Sequence, residues 1–126
     1  MWHKTILIGR LGKDVTLRYT PDGKAVASFP VAVDDGFGDK KTTVWYRVSA
    51  WNKDAENCNQ YLKKGSLVLV DGRLTPDPKT GGPRVFKRQD GTEGASFEIS
   101  ASSVRFLSGK QDGEQAAQDD GDSVPF

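Results

Sequence analysis

Residues 43 to 51, TVWYRVSAW, alternate as the side chains of an extended segment do. In a β-strand successive side chains point to opposite faces, so Val44, Tyr46, Val48 and Ala50 share one side. Trp45 and Trp51 fall on the other, with Thr43, Arg47 and Ser49. The first set is an ordinary core stripe. The second joins two indoles to a guanidinium and hydroxyls, a mixture that a hydrophobic interior does not select. One parity thus constrains two things: this strand is half buried, and its outward face carries large flat rings that something outside the core must use.

The same period of two recurs along the chain. Residues 5–9, TILIG, and 15–19, VTLRY, read as a strand pair or one bent strand, with Gly9 and Gly12 permitting a bulge between them. PDG at 21–23 signals a turn. In KAVASFPVAV, Ala27, Phe29, Val31 and Val33 share a face, and Pro30, which cannot donate a ladder hydrogen bond, marks an edge or bulge. DDGFGDKK, 34–41, is a Gly-rich excursion before the Trp strand. Only DAENCNQYLKKG reads as helix, with Asp54 or Asn52 as cap, Ala55, Cys58 and Leu62 on one face, Lys63 and Lys64 in the last turn, and Gly65 closing it. SLVLVDGRL, 66–74, is apolar on both faces over Leu67 to Val70 and is expected to be sandwiched. The Pro- and Gly-rich 75–94 stretch is not core, and ASFEISASSVRF shifts phase from Phe97, Ile99 and Ala101 to Val104 and Phe106, as a bulge would make it do. Three strand regions, one short helix and two more strands predict an all-β fold, a five-stranded Greek-key barrel of the oligonucleotide-binding type. A β-sandwich gives no reason for a single central helix, and a parallel α/β fold needs a helix after nearly every strand.

The 126 residues suit one domain and a tail. One cysteine, Cys58, and one histidine, His3, exclude an internal disulfide and a multi-cysteine zinc site, and both take bland readings as a small core hydrophobe and a surface or interface residue. No metal or other cofactor is expected. No Ser-His-Asp set, phosphate-cradling loop or recognisable carboxylate pair stands in the sequence, so an enzyme is not expected either. No run approaches a bilayer span and the start has no secretory or transit character, so the expected location is the cytoplasm, with no membrane partner. Net charge is +1, but residues 1–107 hold 17 Lys and Arg against 12 Asp and Glu, and residues 108–126 hold one against five. A mildly basic body and an acidic tail point to a polyanion partner for the body. The expected division is 1–107 as the barrel, 108–118 as a disordered linker and 119–126 as an acidic tip.

Taken together, ILIGRLGKDVTLRYTPDGKAVASFPVAV, WYRVSAWNKDAENCNQYLKKGSLVLVDGRL and the terminal DDGDSVPF resemble the bacterial single-stranded DNA-binding protein family, in order and spacing, over most of residues 4–107 and again at the tip. The resemblance implies an OB-fold that assembles as a homotetramer and wraps single-stranded DNA with stacking aromatics and basic residues. It also implies recruitment of replication and repair proteins through the tip.

On that resemblance Trp45 and Trp51 correspond to stacking aromatics; the rival reading buries them in a subunit interface or under a loop. Six residues separate them, roughly 20 Å at ~3.3 Å per residue, so they lie along a path and cannot grip one base. Phe37, between two glycines, is a third ring, or a pin for its own loop. Arg84, Phe86, Lys87 and Arg88 interleave charge with a ring, as a groove for a single strand requires. Phe86 comes later after GRL than the family's loop aromatic does, and a hairpin of solvated charges is the alternative. Arg10, Lys13, Arg18, Lys40, Lys41, Arg47, Lys53 and Arg73 are candidates for phosphate contacts, led by Arg47 and Arg73; Lys63 and Lys64 are better explained by the helix end. At the tip, Asp119, Asp120 and Asp122 offer attraction to a basic rim, while Val124, Pro125 and Phe126 offer a hydrophobic plug. The linker is short for the family, and Gly121 and Ser123 interrupt the tip. An interaction adaptor that holds no DNA, and an RNA-binding barrel, are the competing functions.

Overall fold

The computed structural model describes residues 1–108. The tip residues Asp119, Asp120, Asp122, Val124, Pro125 and Phe126, and nearly all of the expected linker, lie outside the described residues. Strands form where the alternation predicts them at β1 Thr5–Leu11, β2 Thr16–Tyr19, β3 Ala25–Asp35, β4 Thr42–Trp51, β5 Leu67–Thr75 and β7 Glu93–Phe106, with the helix α1 Asn52–Tyr61 between β4 and β5; a further short strand, β6 Arg84–Lys87, forms in the Pro- and Gly-rich stretch, where none is expected. The sheet runs β1-β5-β7-β4-β3 and returns from β3 to β1, closing a five-stranded barrel. Its pairs are antiparallel except β4 with β7.

The two N-terminal strands are one bent ribbon and do not pair with each other. β2 lies along β3 from Thr16 opposite Ser28 to Tyr19 opposite Ala25, and β1 takes over the same edge at Leu11 opposite Val31 and Arg10 opposite Ala32. Pro30 sits at the handover, where its missing N–H faces the break and its carbonyl accepts the Gly12 N–H at 3.0 Å. Closure is tight enough that a Cβ on Gly9 would run into the Ala32 carbonyl.

Inward side chains fill the barrel: Leu7 and Leu11, Ala27, Phe29 and Val31, Val48 and Ala50, Val68 and Val70, and Ile99 are all buried. The phase shift in β7 is real. A bulge between Asp71 and Gly72 sets Gly72 opposite Ala101 and Asp71 opposite Ser103, so Val104 packs against the same core as Ile99. Helix α1 adds Ala55 and Cys58 to that core, and Leu62, just past its last residue, joins them. Burial pushes the Cys58 thiol up to about 12, and the nearby Asp54 carboxylate adds to the effect.

Two expectations for the helix are corrected. Neither Asp54 nor Asn52 caps it: Trp51 occupies the cap position with no side-chain hydrogen bond, and Asn52 already lies inside the helix at φ 57°. The chain leaves β4 directly into the helix, and asparagine is among the few residues that tolerate that left-handed turn. At the other end the helix stops at Tyr61, so Lys63 and Lys64 are not in its last turn. They belong to a separate turn, where the Lys64 N–H meets Asp14 Oδ1 at 2.8 Å, the Ser66 N–H meets the Lys63 carbonyl at 2.9 Å and the Gly65 N–H meets the Leu11 carbonyl at 2.8 Å.

The outward face of β1 and β5 is apolar. Ile8 stands opposite Leu69, both half buried, while Ile6 is 60 % exposed opposite Asp71, which pairs with Lys4 at 3.0 Å. The doubly apolar β5 is therefore covered by the barrel on one side only. Among the described residues no helix is long and apolar enough to cross a membrane.

Candidate nucleic-acid interface

The parity read for β4 holds. Val48 and Ala50 are fully buried and Val44 and Tyr46 partly so, while Trp45 and Trp51 keep 50 % and 40 % of their surface exposed. Neighbouring strands extend this outward face in register. Trp51 stands beside Val26 and Arg18; Ser49 lies in a row with Ser28 and Thr16 on one side and Ser100 and Arg73 on the other; Arg47 stands between Pro30 and Glu98. Ala32 links Arg10 to Trp45. Arg73 is two strands from β4, about 10 Å at ~4.8 Å per strand.

The Trp45 ring reaches the β1–β2 bend at Gly12. A Cβ on Gly12 would meet its ring at 2.5 Å, so the glycine is the seat of the indole. The ring, with Pro30 and Arg47, forms a ridge between two hollows. The first, about 390 Å³, is completed by Tyr46, Arg84, Phe86, Ser96 and Glu98. The second, about 420 Å³, is completed by Gly12, Lys13, Asp14, Thr16, Ser28 and Phe29.

Phe86 reaches the first hollow because the stretch 84–87 is a strand, β6, paired with β7 from Arg84 opposite Ser96 to Lys87 opposite Glu93. Arg84 and Phe86 share one face of it; Lys87 falls on the other with Val85 and is not brought into the hollow. The Arg88 guanidinium sits 5.7 Å from the Phe86 ring centre and donates to the Glu93 carbonyl at 2.6 Å. A Cβ on Gly94 would meet that guanidinium, so the ring and cation are packed as a unit. The hairpin tip is tied by Asp90, whose carboxyl is held below its usual range by the Thr92 hydroxyl and then by the Thr92 N–H.

The remaining candidates are dispersed. Phe37 is 90 % exposed and, with Lys40 and Lys41, belongs to the short 3-10 turn Gly38–Lys40 and its flanks; none of the three lines either hollow. Arg10 is exposed but donates to the Gly65 carbonyl at 2.9 Å. Lys13 lines the second hollow, Arg73 a separate depression with Ser100 and Ser102, and Lys53 is exposed on α1. The structure adds Gly12, Thr16, Ser28, Pro30, Ser96 and Glu98 to the surface around Trp45. The break at Pro30 and the outward parity of Ser28 and Glu98 were visible signals for three of them.

A closed Greek-key barrel with rings and cations gathered on one outer face is an OB-fold of the kind that offers a stacking platform. The chain belongs to the single-strand binding protein family, whose model matches residues 2–107. It is 36 % identical over 120 residues to a single-stranded DNA-binding protein of Neisseria meningitidis serogroup A, covering 91 % of this chain and 65 % of that one. It is 42 % identical over 116 residues to one from Bacillus cereus, covering 90 % and 64 %, and 40 % identical over 122 residues to one from Oceanobacillus iheyensis, covering 94 % and 70 %. The chain thus spans about two thirds of the length of these relatives.

Proposed function

We propose that the protein binds single-stranded DNA without strong sequence preference, stacking bases on Trp45, Trp51 and Phe86 while arginines and lysines neutralise phosphates. The observation that carries this reading is Trp45 itself: a half-exposed indole seated on Gly12, beside Arg47, with an open hollow on either side. Every base presents a π-face, so such a platform accepts any sequence, and each stacked base contributes roughly 1–3 kcal/mol by alanine substitution. Phe37, Lys40 and Lys41 serve a strand that continues past the ridge, and Arg10, Lys13, Arg73, Arg84, Lys87 and Arg88 serve its backbone.

The protein acts in the cytoplasm and is not an enzyme. It shields unwound DNA during replication, recombination and repair, and recruits the enzymes of those processes through residues 119–126. It works as a homotetramer, for which the apolar outer face of Ile6, Ile8 and Leu69 supplies a contact surface.

Titration with oligothymidine, followed by tryptophan fluorescence at two ionic strengths, tests the central claim. Stacking quenches Trp45 and Trp51, and the logarithm of affinity falls against the logarithm of salt with a slope of about −0.7 per phosphate neutralised. Unchanged fluorescence with flat salt dependence returns the chain to a protein-interaction adaptor. Equal or tighter binding of oligouridine makes RNA the ligand.

A further inference from the structure

The row that passes through Ser49 is built of hydroxyls. Thr16, Ser28, Ser49 and Ser100 stand side by side on β2, β3, β4 and β7, each in register with the next, and Arg73 on β5 ends the line. Four steps between strands, at ~4.8 Å each, make it roughly 19 Å long. Its flanks carry larger side chains: Arg18 and Trp51 lie two residues away on one side, Pro30 and Arg47 two residues away on the other. The small side chains are therefore the floor of a shallow furrow that crosses the strands. Both ends are open. Thr16 and Ser28 line the hollow beside Trp45, while Ser100 and Arg73 line a depression of about 300 Å³ with Thr75 and Ser102.

Serine has no special claim to a strand, and hydroxyls that face one another across a ladder commonly bond to each other. Among the described residues none of these four takes part in a side-chain hydrogen bond, although Ser28 is only 8 % exposed. No carboxylate stands in the row, so a polyanion lying in it meets no like charge. Resting on the single-stranded DNA reading above, we propose that this furrow carries the sugar–phosphate backbone of the strand across the barrel, its phosphates held by neutral hydroxyls and met at one end by Arg73. A serine or threonine hydroxyl donates to a phosphate oxygen as an ammonium group does, but it carries no charge and releases no counterion. The hold on the backbone thus has two parts: one from arginines and lysines, which salt weakens, and one from the furrow, which salt leaves in place. The bases turn outward from the furrow toward the flanking rings, so the hydroxyls read no base edge.

The test titrates the wild-type protein, Ser49→Ala, Ser100→Ala and Arg73→Gln with oligothymidine over a range of salt, read by tryptophan quenching. Each serine variant should bind about fivefold more weakly at every salt concentration, the contribution of one hydrogen bond, with the slope of log affinity against log salt unchanged. Arg73→Gln should flatten that slope by about 0.7. Ser49→Thr, which keeps a hydroxyl, should bind as the wild type does, and so should Ser103→Ala, which lies outside the row on the strand that carries Ser100. Wild-type binding by both alanine variants overturns the proposal. An equal loss in Ser49→Thr overturns it as well, because the shape of the floor and not its hydroxyls is then the source. Losses that differ between oligothymidine and oligodeoxycytidine also overturn it, since they set the hydroxyls against base edges. Should the variants at 49 and 100 fail to fold, Thr16→Ala, at an exposed position, gives the same reading. Absence of quenching by either oligomer on the wild type is a different result, which removes the single-stranded DNA reading itself.

Discussion

Trp45 owes its position to the residue it does not touch in sequence. The ring occupies the space a side chain at position 12 would fill, so the bend between β1 and β2 and the indole of β4 are one device. Gly12→Ala forces the indole off its seat. The expected result is a barrel that still folds, with a changed tryptophan emission and oligothymidine binding weaker by about 1 kcal/mol, the low end of the loss of a stacked base. Trp45→Ala should lose more, up to ~3 kcal/mol, and the pair together should not lose the sum, because both act on the same contact. Unperturbed binding by Gly12→Ala would show that the seat is incidental. The outward parity of Trp45, Trp51 and Arg47 was legible from alternation alone, because a period of two is a local property of an extended chain. Gly12 was legible only as a permitted bulge: its neighbour lies 33 positions away, and no local pattern reports a contact of that range.

Helix α1 shows the same limit one level up. Its buried face, Ala55 and Cys58, follows from spacing, but its ends follow from what the adjoining chain must do, and the expected third member, Leu62, is buried just beyond the last turn. β4 runs straight into it through Asn52 at φ 57°, and the turn after it is committed to Asp14, Leu11 and Ser66, which draws Lys63 and Lys64 away. The same holds for β6, whose Pro- and Gly-rich flanks conceal a strand that exists because β7 is long enough to pair with it. Packing of α1 also sets a dependence on pH. The Cys58 thiol rises from 9.0 to about 12 in the folded state, so the unfolded chain loses this proton first and stability falls as pH climbs from 9 toward 12. The slope from this group approaches about 1.4 kcal/mol per pH unit in that window and vanishes below it. Cys58→Ala should unfold more readily at neutral pH yet lose less on going from pH 8 to 11 than the wild type does in urea denaturation. Parallel curves for the two proteins would exclude the buried thiol as the source.

At the scale of the molecule, the barrel leaves Ile6, Ile8, Leu67 and Leu69 side by side on the outside of β1 and β5, with the Lys4–Asp71 pair at the margin. On the homotetramer proposed above, this apolar face is the surface expected to meet another subunit. Ile6→Glu should lower the mass found by sedimentation while leaving the strand content unchanged; an unaltered mass would place the subunit contact elsewhere. The barrel order was readable because strand and helix signals came in a sequence that few folds accommodate. Which residues close it was not, since a seam between distant strands leaves no periodic trace. That seam is short: only Arg10 with Ala32 and Leu11 with Val31 join β1 to β3, whereas β3 and β4 pair over ten positions. Structures open where the fewest bonds must break. Among the amides of the strands that close the barrel, those at this junction should exchange with deuterated solvent earliest, and the β3–β4 core latest. Because Gly12 and Pro30 sit at the same place, a bound polymer that clamps them together would slow that exchange, so the cylinder's weakest stave is also where a ligand would do most to brace it.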